Sequence, residues 1–163
     1  MSYERLYRGV YSRPRLVVFL KALSIVCTCL AVIAFLYIGV IAFWIGFDLG
    51  VKYLLITGIP FVLVTLLRRI ASAPRPYEVV DFLSENAPRK KAGDSFPSRH
   101  VFSAFVISFT VCHFANPIGI ATLVFGIAIG ACRVLLGIHF VRDVVAGAVI
   151  GILSAILGLW IFL

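Results

Sequence analysis

The chain has 163 residues, 62% of them hydrophobic and only 13% charged, with a mean hydropathy of +1.09. A soluble domain of this size needs far more polar surface to cover its core, so the composition excludes a water-soluble globule. In a soluble protein the formal charge of +8 would suggest nucleic acid; here it reads as orientation charge, attraction to anionic headgroups, or an anionic substrate.

In chain order, residues 1–14 form an interfacial segment rather than a span. Tyr3, Leu6, Tyr7 and Val10 recur at helical spacing with Glu4, Arg5 and Arg8 between them, which predicts a short amphipathic helix in the headgroup region. Pro14 marks the break. A first span covers about residues 15–47, with Lys21 placed to snorkel and Trp44 in the aromatic belt. Its apolar run is too long for a signal peptide and lacks a small-residue cleavage site, so it is expected to stay in the protein. Asp48-Leu49-Gly50 predicts a turn, and a second span, about residues 51–67, stops at Arg68 and Arg69.

The longest polar stretch follows, residues 71–97, with a short surface helix predicted at residues 77–83 and a basic run at Arg89-Lys90-Lys91. A loop of this length in so small a chain is usually functional, so it is expected to border the site. The third span opens at Ser98, an N-cap residue type, carries Phe102, Phe105 and Phe109 along one side, and closes near Asn116-Pro117. The fourth, about residues 118–136, has Gly126 and Gly130 at small-xxx-small spacing; the fifth, about residues 141–163, has Gly147, Gly151 and Ala155. Such stripes let helix backbones approach closely, which puts both helices in the bundle interior. The expected fold is an all-α integral membrane protein: one domain over residues 1–163, about five transmembrane helices and the amphipathic N-terminal helix.

Cys27, Cys29, Cys112 and Cys132 lie in apolar runs without metal-ligand spacing and read as buried thiols. Polar residues concentrate instead in three clusters at span ends: Arg68 to Arg75-Pro76, Asp94-Ser95-Phe96-Pro97-Ser98-Arg99-His100, and Arg133 with His139 and Asp143. With alternating spans all three fall on one side of the membrane. Arg68, Arg75, Arg99 and Arg133 near the boundary each cost at least about 2.5–3.5 kcal/mol on insertion scales if taken deeper, and so call for an anionic partner. Guanidiniums bind phosphate through paired donors, and Ser98 with the first amides of the third span adds a helix N-terminus. His139 and Asp143 are four apart and share a helix face, so the carboxylate can fix the imidazole tautomer and leave the other nitrogen as nucleophile or base. His100 offers a second imidazole, placed to protonate a leaving oxygen. Together these groups describe a phosphoryl-transfer site with no metal and no cofactor.

The order of these residues resembles the type 2 phosphatidic acid phosphatase family, membrane lipid phosphatases related to vanadium haloperoxidases. That family carries a lysine, six residues and Arg-Pro; then Pro-Ser-Gly-His; then Ser-Arg, five residues, His, three residues and Asp. Arg75-Pro76 matches, with Arg68 at the lysine position; Pro97-Ser98-Arg99-His100 matches except at the glycine. Arg133, His139 and Asp143 match in identity and spacing, with Cys132 in place of the serine. The resemblance implies that His139 attacks phosphorus to form a phosphohistidine, that Asp143 orients it, and that His100 protonates the departing alkoxide and later activates water. It implies that Arg68, Arg75, Arg133 and Ser98 hold the phosphoryl oxygens. Arg99, where the family has glycine, reads either as a contact to a second phosphate or as a side chain turned into the long loop.

Singly, His100 and His139 read as satisfied buried histidines, the arginines as boundary anchors, and the His-x-x-x-Asp pair as metal ligands. Jointly, in order and on one side, they read as a site. His113 is assigned to a span end, Arg142 to a boundary anchor, and Arg89-Lys90-Lys91 to a headgroup-binding surface. The leading function is a lipid phosphatase acting on a phosphate monoester or diphosphate of the phosphatidate, phosphatidylglycerol phosphate or polyprenyl class. The alternatives are a phosphotransferase of the same architecture and a non-catalytic transporter or scaffold with a decayed site. The partners are the lipid phosphate and the bilayer, with no nucleic acid. Arg5, Arg8, Arg13, Arg15 and Lys21, then Arg69, Arg89, Lys90 and Lys91, lie on the site's side against Lys52 on the other. The positive-inside rule therefore puts the site on the cytoplasmic face of the cell (inner) membrane.

Overall fold

The computed structural model describes residues 3–86 and 93–163; Arg89, Lys90 and Lys91, expected to bind headgroups, lie outside these. The described residues form helices α1 (Tyr3–Tyr11), α2 (Pro14–Ile45), α3 (Phe47–Ala71), α4 (Pro76–Val79), α5 (Asp81–Asn86), α6 (Arg99–Phe114), α7 (Asn116–Leu135) and α8 (Val141–Phe162). Four of them, α2, α3, α7 and α8, are long and apolar enough to cross a membrane, and α6 is a shorter apolar helix. The protein is an all-α integral membrane protein. Its outer surface is apolar, with Trp44 91% and Trp160 82% exposed, as a surface facing hydrocarbon requires.

The 16-residue α6 is the axis of the bundle. Val101 and Ala104 pack with Cys27 of α2 and Ile129 of α7, while Phe102 and Val106 pack with Val64 of α3 and Ala155 of α8. Gly126, Gly147 and Gly151 face α6, whereas a Cβ on Gly130 would meet Val144 of α8 at 2.9 Å. A Cβ on Gly126 would meet Phe105 at 3.2 Å, and one on Gly147 would stand 2.6 Å from the Ser98 carbonyl oxygen. Gly147 is thus a place where any side chain would push the start of α6 away from α8.

The turn after the first span is tighter than the sequence predicts. Gly46 alone, in extended conformation, breaks α2 from α3, and Asp48 lies in the first turn of α3. A carboxylate there complements the helix N-terminus, and its side chain pairs with Lys52 at 2.9 Å. Residues 77–83, predicted as one surface helix, are split between α4 and α5.

Alternation brings the starts of α2, α6 and α8 and the ends of α3 and α7 to one end of the bundle. Val17 and Leu20 of α2 pack with Cys132 of α7 and with Leu136 just after it, and the Ser98 amide donates to the Asp143 carbonyl at 2.9 Å. The amphipathic α1 lies over this end and turns its apolar stripe to the protein. Tyr7 is fully buried among Tyr77 and Leu83, the Tyr3 ring meets Phe140 edge-on at 5.4 Å, and the Tyr11 hydroxyl donates to the Leu136 carbonyl at 3.2 Å.

Candidate active site

Local backbone chemistry sets up His139. α7 ends in a Schellman turn, in which the Gly137 amide donates to Val134 O and the Ile138 amide to Arg133 O, both at 3.0 Å. Gly137 has φ +65, and a Cβ there would also lie 2.4 Å from Leu83, so both conformation and space favour glycine. The His139 amide closes on the same Arg133 carbonyl at 3.2 Å. Two residues after the turn, α8 begins, and Asp143 at its third position reaches back to the Phe140 amide at 3.1 Å.

His139 is 2% exposed and Asp143 fully buried. The direct bond expected between them is replaced by a relay. Nδ1 of His139 lies 3.7 Å from Asp143 Oδ2, too far for a hydrogen bond. Ser95 spans the gap: its hydroxyl donates to Asp143 Oδ2 at 2.6 Å and lies 3.2 Å from His139 Nδ1. A proton on Nδ1 pointing to Ser95 Oγ gives that hydroxyl both a donor and an acceptor, and Nε2 then carries the lone pair. Burial holds the His139 pKa below its ordinary value; the Asp143 carboxylate opposes this and the charges of Arg75 and Arg68 add to it. The imidazole is therefore neutral at neutral pH, as a nucleophile must be. Ser95 had no role in the sequence reading, because a lone serine in a polar loop carries no spacing signal.

Arg68 and Arg75 hold the loop that carries Ser95. Arg68 donates through Nη1 to the Pro97 carbonyl at 2.6 Å and through Nη2 to the Asp94 carbonyl. Arg75 donates through Nε to Gly93 O at 2.9 Å and reaches the same Asp94 carbonyl at 3.5 Å. Each guanidinium has five N–H donors, so both can serve the loop and an anion together. Glu78 also ties the loop's entry, accepting from the Gly93 amide at 2.8 Å.

Ser98 occupies the N-cap of α6, as expected, but its side chain makes no capping bond. Its Oγ is buried and without a hydrogen-bond partner, as is Nε of Arg133. Buried polar atoms without partners are rare and call for an explanation. Around His100 the guanidiniums of Arg133, Arg99 and Arg68 converge; His100 lines a lateral groove of about 290 Å³. Arg99 turns into that groove, with its guanidinium 5.8 Å from the centre of the Phe61 ring. Arg142, read as a boundary anchor, is exposed, and its Nε lies 3.5 Å from Asp143 Oδ1. His113 is exposed near the end of α6, at the far end of the bundle. Among the described residues no cluster of His, Cys, Asp and Glu could hold a metal ion.

One end of this polytopic helical bundle thus carries two imidazoles, a buried carboxylate and several guanidiniums. Residues 49–163 match the model of the PAP2 superfamily, and the chain belongs to that superfamily. It is 30% identical over 131 residues to the bacitracin transport permease protein BcrC of Bacillus licheniformis, an alignment covering 77% of this chain and 64% of that one. The aligned stretch therefore spans less than two thirds of that relative. Among solved structures, LpxE of Aquifex aeolicus superposes with a TM-score of 0.72 at 25% identity, covering 96% of this chain and 93% of the other. A transmembrane PAP2 type phosphatidylglycerolphosphate phosphatase from Bacillus subtilis gives 0.72 at 24% identity, covering 98% and 83%, a likeness of fold.

Proposed function

We propose that the protein is a metal-independent lipid phosphatase, built as one membrane-embedded domain, that hydrolyses a lipid phosphate monoester or diphosphate through a phosphohistidine. The carrying observation is the pair of buried, unpartnered atoms Ser98 Oγ and Arg133 Nε beside a neutral histidine with its Nε2 free. In this reading His139 Nε2 attacks phosphorus while Ser98, Arg68, Arg75 and Arg133 hold the phosphoryl oxygens. Preorganised charge of this kind supplies most of the help to a reaction that is very slow unaided. Asp143 acts through Ser95 to fix the tautomer and to stabilise the imidazolium side of the reaction. His100 gives a proton to the leaving oxygen and later takes one from the attacking water. Membership of the superfamily and the likeness to the Bacillus subtilis phosphatidylglycerolphosphate phosphatase support the lipid phosphate class.

The test is release of inorganic phosphate from lipid phosphates by the detergent-solubilised protein, with chelator present throughout. Expected are turnover in chelator, loss of it in His139→Ala with vanadate binding kept, and acid-labile phosphate that maps to His139 after quenching. Near-normal turnover by His139→Ala refutes the covalent step, and activity restored only by a divalent ion refutes metal independence. Phosphate passed to another lipid instead of water identifies the phosphotransferase alternative.

We further place the site on the cytoplasmic face of the cell (inner) membrane, from the excess of lysine and arginine at that end of the bundle. Single cysteines at Ser12, exposed on the site's side, and at Gly46, with open space around it, test this in a background lacking the native cysteines. An impermeant thiol reagent on intact cells should label position 46 and spare position 12; the reverse pattern overturns the assignment.

A further inference from the structure

Arg99 stands apart from the other site arginines. Arg68 and Arg75 are tied to loop carbonyls, whereas Arg99 has no hydrogen bond or ion pair among the described residues and touches only the Phe61 ring. It is exposed at the first position of α6. A guanidinium turned into a groove of uncharged side chains without an anion is a costly placement, and here it replaces the glycine of the family motif. It points into the groove that His100 also lines, and beyond these two residues the groove is walled by uncharged side chains such as Thr28, Ala31, Ile107 and Ile129.

That polarity constrains what lies in the groove: anionic at the Arg99 and His100 end, hydrocarbon further in. His100 faces the departing oxygen, so the group beside Arg99 is the leaving group. An alkoxide joined directly to a lipid would set carbon against the guanidinium. A leaving group that is itself a phosphate monoester sets oxygens there, with the tail continuing along the apolar wall.

We propose that Arg99 binds the inner phosphate of a lipid diphosphate, and that the substrate class of this site is the lipid diphosphate rather than the monoester. The inference rests on the phosphatase reading above. In the first step the bond from His139 Nε2 to the terminal phosphorus forms and the bond from that phosphorus to the bridging oxygen breaks. The electron pair stays on the bridging oxygen, which takes the proton from His100, and a lipid monophosphate departs with its remaining charge against Arg99. Water then attacks the phosphohistidine, its proton passes to His100, the N–P bond breaks and inorganic phosphate leaves. Water is the sole co-reactant. A phosphate monoester leaves far more readily than an alkoxide, so the charge stabilisation that Arg99 adds matches what this reaction requires.

The experiment compares kcat/KM for phosphate release from prenyl diphosphate and prenyl monophosphate of the same chain length. The wild type is expected to prefer the diphosphate. Arg99→Gly, which restores the family residue, should lower the diphosphate-to-monophosphate ratio by about 10- to 100-fold, the size of a lost charge-assisted hydrogen bond to phosphate. Arg99→Lys keeps the charge without the fork and should recover part of the ratio. Because the readout is a ratio within each variant, a partly misfolded preparation does not mimic the result. Wild-type preference for the monophosphate, or a ratio unmoved by Arg99→Gly, overturns this proposal and leaves the phosphatase reading standing. Turnover of neither prenyl lipid with phosphate still released from phosphatidate overturns this proposal alone, and release from none of the three overturns both.

Discussion

Ser95→Ala is the sharpest perturbation the geometry offers, because it deletes one oxygen and leaves both catalytic candidates in place. In the wild type that hydroxyl donates to Asp143 Oδ2 at 2.6 Å and lies 3.2 Å from His139 Nδ1. Without it, Oδ2 keeps only the Phe140 amide at 3.1 Å, and Nδ1 faces the carboxylate across 3.7 Å. A hydrogen bond to a charged group contributes about 1.5–3 kcal/mol. At about 1.36 kcal/mol per decade, the loss of tautomer and orientation control corresponds to roughly a 10- to 150-fold fall in kcat. Because Ser95 touches His139 and not the phosphate, the expected change is in kcat with KM little affected. Phosphate release under saturating lipid measures it, and Ser95→Thr, which keeps the hydroxyl, should recover most of the rate. Ser95→Ala with kcat within twofold of wild type, alongside an inactive Asp143→Ala, would refute the relay and restore a direct His–Asp contact.

The remaining expectation concerns pH. Since the folded environment lowers the His139 pKa, the neutral, attacking form persists below the ordinary histidine value of about 6.5. Activity is therefore present above that value and lost only as pH falls through the lowered pKa, so the acid limb of kcat/KM should lie below about pH 6.5; an acid limb above pH 7 refutes the buried, neutral assignment.

Much of this architecture is legible in the sequence because the bilayer simplifies the physics. Long apolar runs have to be helices, so the crossings alternate, and three polar clusters have to meet at one end. The spacing of His139 and Asp143 places them close, although His139 precedes the N-cap of α8 and the two meet because Asp143 reaches back over the first turn, and Arg133 is fixed to them by the Schellman turn that Gly137 marks. What escapes the sequence is whatever depends on a loop's register. Ser95 and Asp94 are ordinary polar residues until Arg68 and Arg75 draw the Asp94 carbonyl between them and swing the serine under the imidazole. The glycine stripes announce close packing but not the partner; that Gly126, Gly147 and Gly151 face α6 while Gly130 faces α8 follows from how the helices are arranged. Asp48-Leu49-Gly50 has turn chemistry, yet an aspartate is equally at home in a first helical turn, and Gly46 made the break sooner. Tyr7 shows the same limit, since periodicity marks its face as apolar without saying whether lipid or protein covers it.

Helix length explains how these parts share one depth. At about 1.5 Å per residue, α6 is only about 24 Å long, short of the roughly 30 Å of a hydrocarbon core, while α2 extends about 48 Å. The far end of α6 packs level with the turn between α2 and α3, where Val111 meets Ile38, Ala42 and Tyr53. Its near end, with Ser98, Arg99 and His100, therefore stops below the edge that the longer helices reach. Over that recess lies α1, with Tyr7 sealed against Tyr77 and Leu83 and Tyr3 against Phe140. Recessed and covered from above, the candidate site opens sideways along the groove between Phe61 of α3 and Thr28 of α2. A molecule entering there keeps its tail among the helices while its head meets His100 and Arg99. The short central helix thus sets the depth of the charged cluster and, on the proposed function, the direction from which an amphipathic phosphate reaches it.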